Sequence, residues 1–187
     1  LRQLVENEQR REPVPEATTM LKFRLLLNDN KLGEALFASV GQELQARGFK
    51  VNTGTIVDAT LITAPSSTKN AGKARDPQMH QTRKGKQWYF GMRLLIGVDS
   101  QSGLAHSAVV SVANVHDKHP LPDLLHGQEK RVYGDSAYAS QKALMQSKAA
   151  QARDFTNQRT ERNGVVDEAA RSKNHHKSRI RARVEHV

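Results

Sequence analysis

Apolar residues change their spacing along this chain, and the change divides it. Up to Gly48 they recur with helical period: Met20, Leu21, Phe23, Leu25 and Leu27, then Leu32, Leu36, Phe37, Val40 and Leu44. Thr18 is placed to cap the first helix, residues 28–30 to end it, Asn30 to cap the second and Gly48 to stop it in a left-handed conformation. Residues 1–48 therefore read as a helical N-terminal segment, and residues 49–187 as the main domain.

From residue 49 the texture becomes β-branched. Residues 55–62 form a strand with Ile56, Asp58, Thr60 and Ile62 on one face, so a carboxylate interrupts an apolar stripe. Residues 66–87 are polar and basic with neither period, which suggests a functional loop. Strand character returns over 88–98, turns at 99–103 and resumes over 104–115, the pattern of a hairpin. Pro120 and Pro122 open a short helical start, residues 131–134 form a fourth strand leading into Asp135, 140–152 have helical composition, and 152–157 form a brief fifth strand. Residues 167–187 read as a final helix with Ile180, Val184 and Val187 on one stripe and a dense basic face. Strands and helices in this order make a mixed α/β domain with a central sheet.

Composition narrows the function. The 187 residues carry a net charge of +10, which favours a polyanionic partner, because each cation set on a phosphate releases condensed counterions. Nucleic acid leads, and an anionic membrane surface follows. No apolar run reaches the roughly 20 residues that span a bilayer, and residues 1–12 lack a signal-peptide core. Cysteine is absent, so thiolate metal sites, disulfides and cysteine nucleophiles are excluded, in keeping with a cytoplasmic protein. Any metal must sit on carboxylates or imidazoles.

Asp58, Asp135 and Glu185 are the acids in unusual places. A strand-end Asp is usually a turn former, and an acid on a basic helix is usually a salt-bridge partner. Asp58 is harder to dismiss, since a buried lone carboxylate costs several kcal/mol unless neutralised, paired or metal-bound. Two basic clusters account for the charge: Lys69, Lys73, Arg75, Arg83, Lys84, Lys86 and Arg93, and Arg171, Lys173, Lys177, Arg179, Arg181 and Arg183. Trp88, Tyr89 and Phe90 adjoin the first cluster. One of them could stack on an unpaired base, although strand packing accounts for at least two. His116, Asp117 and His119 match no standard ligand spacing and read as loop residues. Gly72-Lys73 lacks the rest of a phosphate loop, and Gly134 to Tyr138 lacks the last glycine of a nucleophile elbow.

Several segments together carry a family resemblance. Gly54-Thr55-Ile56-Val57-Asp58-Ala59-Thr60, Ala64-Pro65-Ser66-Ser67-Thr68-Lys69-Asn70, Arg75-Asp76-Pro77, His80-Gln81-Thr82-Arg83-Lys84-Gly85, Gln87-Trp88-Tyr89-Phe90-Gly91-Met92, Ile96-Gly97-Val98-Asp99, Ala113-Asn114-Val115-His116-Asp117, Tyr133-Gly134-Asp135-Ser136-Ala137-Tyr138 and Arg181-Ala182-Arg183-Val184-Glu185-His186-Val187 closely resemble DDE transposases of bacterial insertion sequences, of the IS-five group. The similarity runs from about Pro15 to the last residue. It implies a ribonuclease-H-like mixed sheet flanked by helices, with the first Asp on the first strand, the second after the fourth strand and the Glu on a late helix. By that resemblance Asp58, Asp135 and Glu185 hold two Mg²⁺ or Mn²⁺ ions, which prefer oxygen ligands and serve an in-line displacement at phosphorus. Its implied partners are double-stranded DNA, both the element's terminal inverted repeats and the target, with no membrane. A homodimer on DNA is compatible with it.

The resemblance also brings a Tyr, Arg, Glu and Lys pattern around the third acid. Arg181 occupies the Arg place, one helical turn before Glu185, where it could grip a phosphate. Ser178 stands at the Tyr place, and the Lys place falls beyond Val187. The chain is thus expected to be truncated at both ends, with Glu185 poorly fixed and catalysis weak. Two other readings compete: a transposase-derived DNA-binding fragment without catalysis, and a host nuclease of the same fold. For DNA contacts the residues of choice are Lys69, Lys73, Arg75, Arg83, Lys84, Lys86, Trp88, Arg179, Arg181 and Arg183.

Overall fold

The computed structural model describes residues 16–49, 53–69, 71–162 and 165–186. It divides into two compact units, residues 1–46 and 47–187.

The first unit contains helices α1 (Ala17–Asp29) and α2 (Gly33–Ala46). Helix α1 begins ahead of the expected cap Thr18, because the Glu16 carbonyl already accepts from the amides of Thr19 and Met20. Asn30 does not open α2. Its side-chain amide donates to the Leu26 carbonyl at 2.8 Å, closing α1 by occupying one of its orphan acceptors. The chain then reverses at Lys31, whose φ is 54°, and the Leu32 carbonyl starts α2 by accepting from Leu36. Neither helix has a buried residue.

The second unit is built on a sheet. Strand β1 (Gly54–Thr63) pairs antiparallel with β3 (Gln87–Asp99), which pairs on its other side with β2 (His80–Lys84) and β4 (Ala105–Val112). Across β1, β5 (Arg131–Tyr133) runs parallel, and β6 (Arg153–Asp154) runs parallel to β5. Antiparallel pairing from β1 through β3 to β2 and β4 on one side, and parallel pairing through β5 to β6 on the other, make the ribonuclease-H-like mixed sheet that the motifs imply. The fifth strand's ladder runs further than its two regular residues, since Phe155 and Asn157 donate to Val132 and Gly134.

The two sheet faces bury different partners, as period-two alternation requires. Val57, Leu95 and Val132 join Leu121, Leu124, Tyr138, Met145 and Ala149 on one face. This face is covered by a 3₁₀ turn (Leu121–Leu124) and helix α3 (Lys142–Lys148). Ile56, Val98 and Tyr133 pack on the other with Phe155, Ile180 and Val184. Ile180 belongs to helix α4 (Glu168–Arg181), capped by the Asp167 carboxylate on the Ala170 amide, and Val184 to the 3₁₀ turn that follows (Ala182–His186). None of the helices among the described residues is long and apolar enough to cross a membrane.

Several expectations need correction. The loop foreseen over 66–87 contains β2 and the tight turn into β3. Helix α3 is shorter than the expected 140–152, because Ser140 takes φ 66°, which a helix cannot include. The last helix tightens into a 3₁₀ turn after Arg181, a common way for helices to end. Val187, the third member of its stripe, and Asn70 lie outside the described residues. A small hairpin, β7 (Glu161–Arg162) with β8 (Val165–Val166), was not foreseen.

Glu129 is a buried carboxylate at the start of β1. It accepts from the amides of His126 and Gly127 at 2.7 and 2.9 Å and from the Thr55 hydroxyl at 3.2 Å, and His126 Nε2 lies 3.3 Å away. Burial without such donors would cost several kcal/mol. The network ties the loop before β5 to the second residue of β1, and so helps to set the pairing of those strands.

Candidate active site

Parallel pairing of β1 with β5 decides where the first two acids meet. The register runs Gly54 with Arg131, Thr55 with Val132 and Ile56 with Tyr133. Two residues further on each chain come Asp58 and Asp135. The step of two keeps Asp58 on the Ile56 face and Asp135 on the Tyr133 face, which is the face covered by α4.

Each acid is held by local structure. Asp58 is mid-strand, about one-third exposed, and paired with Ile96 of β3. Asp135 lies two residues past β5 and caps the short 3₁₀ turn Ser136–Tyr138, its carboxylate accepting the Ala137 amide at 2.8 Å. Among the described residues that bond leaves the other oxygen of Asp135 uncommitted. Gly134 before it cannot carry a side chain cheaply, since a Cβ there would lie 3.0 Å from both Tyr138 and Val57.

Arg181, at the last turn of α4, reaches across 123 positions of sequence to Asp58, with Nη2 3.5 Å from Oδ1. Burial pushes the Asp58 carboxyl up from its ordinary value; the Arg181 guanidinium and the Ala59 amide pull it back, and the charge of Asp135 adds to the rise. The Tyr138 phenol is driven well above its usual range by burial, then by the charges of Asp117, Asp135 and Asp58. Among the described residues its buried hydroxyl has no hydrogen-bond partner, and neither does Arg181 Nε. These are polar atoms beside two repelling carboxylates. Two such oxygen donors, with the ionised form of Asp58 disfavoured by burial, suit a hard divalent cation that would offset that cost.

The third acid stands differently. Glu185 lies in the 3₁₀ turn after α4, one turn beyond Arg181, but its side chain is outside the described structure. Among the described residues no three His, Asp or Glu side chains are grouped to hold a metal.

The basic residues separate into two populations. Lys69, Lys73, Arg75, Arg83, Lys84 and Lys86 are exposed, with Arg75 over the Phe90 ring and Arg83 over the Trp88 ring. Trp88 is 64% exposed and Phe90 buried, so Trp88 is the aromatic available to a partner. Arg93 is turned inward, donating to Asp117 and to the Val115 carbonyl. On α4, Lys173 and Arg179 are exposed, whereas Lys177 donates to the Thr156 carbonyl at 2.6 Å. Arg183 donates to the carbonyls of Ser100 and Gln101.

Sequence reasoning missed Tyr138, Asn157 and the Arg93–Asp117 pair. Asn157 links the site together: its amide donates to Gly134 and its side chain to the Ser178 hydroxyl at 3.1 Å. An open depression of about 450 Å³ lies at Asn157, lined also by Asp135, Ser136, Arg159, Asn174 and Arg181. Asp117 carried a sequence signal as an acid between two histidines, Arg93 as a member of the basic cluster and Tyr138 as the end of a family segment, whereas Asn157 carried none.

Residues 50–187 match the family model described as a transposase DDE domain. No solved structure matches the chain.

Proposed function

Because the chain belongs to the transposase DDE domain family, whose members act on DNA as transposase-type nucleases and generally use divalent metal ions, we propose that it cuts the ends of an insertion sequence and joins the freed 3′-hydroxyl to target DNA. The segments quoted above support membership, within that family, of the IS-five group. One observation supports this reading most: Asp58 and Asp135 stand level on neighbouring parallel strands, on the face that α4 closes with Arg181.

Asp58 and Asp135, with Glu185 as third ligand, would hold two Mg²⁺ or Mn²⁺ ions. When bound, the ions supply Lewis-acid stabilisation of the attacking and leaving oxygens. The remaining work belongs to the chain itself. Arg181 holds Asp58 through Nη2 and lines the open depression, which sets its guanidinium where a phosphate oxygen can accept from it. The Asp135 cap on Ala137 orients that carboxylate, and Tyr138 and Val57 wall the site from beneath. Exposed Lys69, Lys73, Arg75, Arg83, Lys84, Lys86 and Arg179, with Trp88, attract and position the duplex through its phosphates. The protein would work in the cytoplasm, on double-stranded DNA.

Nicking of supercoiled plasmid with Mn²⁺ tests the reading. Cleavage confined to inverted-repeat ends and abolished by Asp58→Ala is the expected result. Cleavage without end preference would indicate a general nuclease, and binding without cleavage a non-catalytic fragment.

A further inference from the structure

Arg131 opens β5 and pairs in register with Arg153 at the start of β6. Residues paired across neighbouring parallel strands share a face and stand about 4.8 Å apart at the backbone, so two guanidinium groups project side by side. Period two puts them on the face of Tyr133 and Phe155, and they lie 6.0 and 5.6 Å from the centre of the Phe155 ring. Like charges so placed repel, and among the described residues neither arginine has an acidic partner. Both line an open cavity of about 710 Å³, together with Lys130 and Arg183, and no acidic side chain lines it. The neighbouring described acids hold main-chain amides of their own: Asp99 those of Gln101 and Ser102, Glu129 those of His126 and Gly127, and Asp154 that of Thr156. Arg183 is oriented by the Ser100 and Gln101 carbonyls. The cavity shares no lining residue with the depression at Asp135 and Arg181. Four extended residues, about 13 Å, separate Arg131 from Asp135 along the chain.

We infer that this cavity binds a multiply charged phosphate anion, at a site separate from the catalytic groove. Charge selects the occupant: four cations with no acid among them are left mostly unbalanced by a single carboxylate, whereas a diphosphate or two successive phosphodiesters brings two or more negative charges. Arginine sets the chemistry. Its planar fork meets phosphate oxygens in bidentate fashion, and two forks on adjacent strands present their donors together. An anion between them would also remove the repulsion of the Arg131 and Arg153 pair. The volume falls within the roughly 300 to 1,000 Å³ that suits a single small ligand. A free polyphosphate and a stretch of DNA backbone offer the same group. Because none of its residues lines the catalytic depression, the site stands apart from the transposase reading.

Calorimetric titration of the full chain with pyrophosphate, in chelator and at fixed ionic strength, is the test. Saturable binding is expected, weakened about tenfold or more when Arg131→Gln and Arg153→Gln are combined. Combining Lys142→Gln with Lys148→Gln removes as much charge from α3 and should leave the affinity in place. Thermal melting establishes that the variants are folded. Lys130→Gln, which stacks on no ring, supplies a second reading should the arginine pair prove necessary for folding, with an expected weakening of about threefold. Absence of saturable binding, equal affinity for citrate, or an equal loss in the α3 variant would overturn the site. Repeating the titration on protein saturated with a blunt duplex then identifies the source of the phosphate. Pyrophosphate binding that the duplex abolishes assigns the established site to DNA backbone, and binding that persists assigns it to a free anion.

Discussion

Asp58 and Asp135 sit two residues beyond the last parallel pair, Ile56 with Tyr133, and so present their carboxylates side by side on one sheet face. The neighbours of Asp58 pull its protonation in opposite directions. Burial and the mutual charge favour protonation of Asp58, and Arg181 opposes it.

This sets up an opposite response of activity and stability to one substitution. Because the folded-state value of Asp58 is raised, its stabilising form is the protonated one; the contribution is complete below the unfolded value of 3.8 and is lost as pH rises through the folded value. At neutral pH the ionised group is a cost. Asp58→Asn should therefore abolish nicking while raising the thermal midpoint of the metal-free protein, by about 2 to 4 °C. A lower midpoint than the parent in chelator at pH 7 would contradict this.

Arg93 belongs to the basic cluster by sequence but to the fold by contact. Its pair with Asp117 is largely buried, with side-chain exposures of 17% and 16%, and it also holds the Val115 carbonyl. Arg93→Ala should destabilise the chain by about 1 to 3 kcal/mol in urea unfolding. The salt dependence of DNA binding should stay as in the parent; a flatter dependence would assign Arg93 to the DNA.

Exposed lysines should behave in the reverse way. Substituting Lys69, Lys84 and Lys86 by Ala should leave the urea midpoint in place and reduce the slope of log affinity against log salt by about 2 to 3, near 0.9 for each phosphate contact removed. A titration at several salt concentrations that returns the parental slope would show those lysines to be solvated bystanders.

At Gly91 the main chain tolerates no side chain. Its φ is 153°, and a Cβ there would lie 2.0 Å from the Ile62 carbonyl oxygen on β1. Gly91→Ala should cost more than about 4 kcal/mol, read as loss of soluble folded protein or of the cooperative transition. A variant with parental unfolding would show that β1 and β3 can move apart at that point.

The sheet was largely legible in advance because its strands alternate. Residues 88–98 are apolar at every even position and residues 104–115 are rich in Val and Ala, around a turn-rich five-residue break, and the structure pairs them as β3 and β4. Strand β2 was not legible. His80, Gln81, Thr82, Arg83 and Lys84 have no apolar face, so the strand is held at the sheet edge by main-chain bonds to β3 rather than by burial. Asn30 was misassigned for a related reason: a short amide can serve either neighbouring helix, and only the contact with Leu26 decides which.

Local chemistry by itself determined the kinds of group at this protein's centre: a carboxylate inside an apolar strand, a second at a strand end, an excess of cations and no thiols. Those follow from alternation and composition, which act over a few residues. Tertiary structure alone decided that Asp58 stands level with Asp135, that Arg181 closes over Asp58, and that Arg93, Lys177 and Arg183 donate to main-chain carbonyls within the fold. These depend on strand register and on helix docking between segments many tens of residues apart. A slip of one residue in the β1–β5 pairing would turn an acid to the opposite face without changing any local signal.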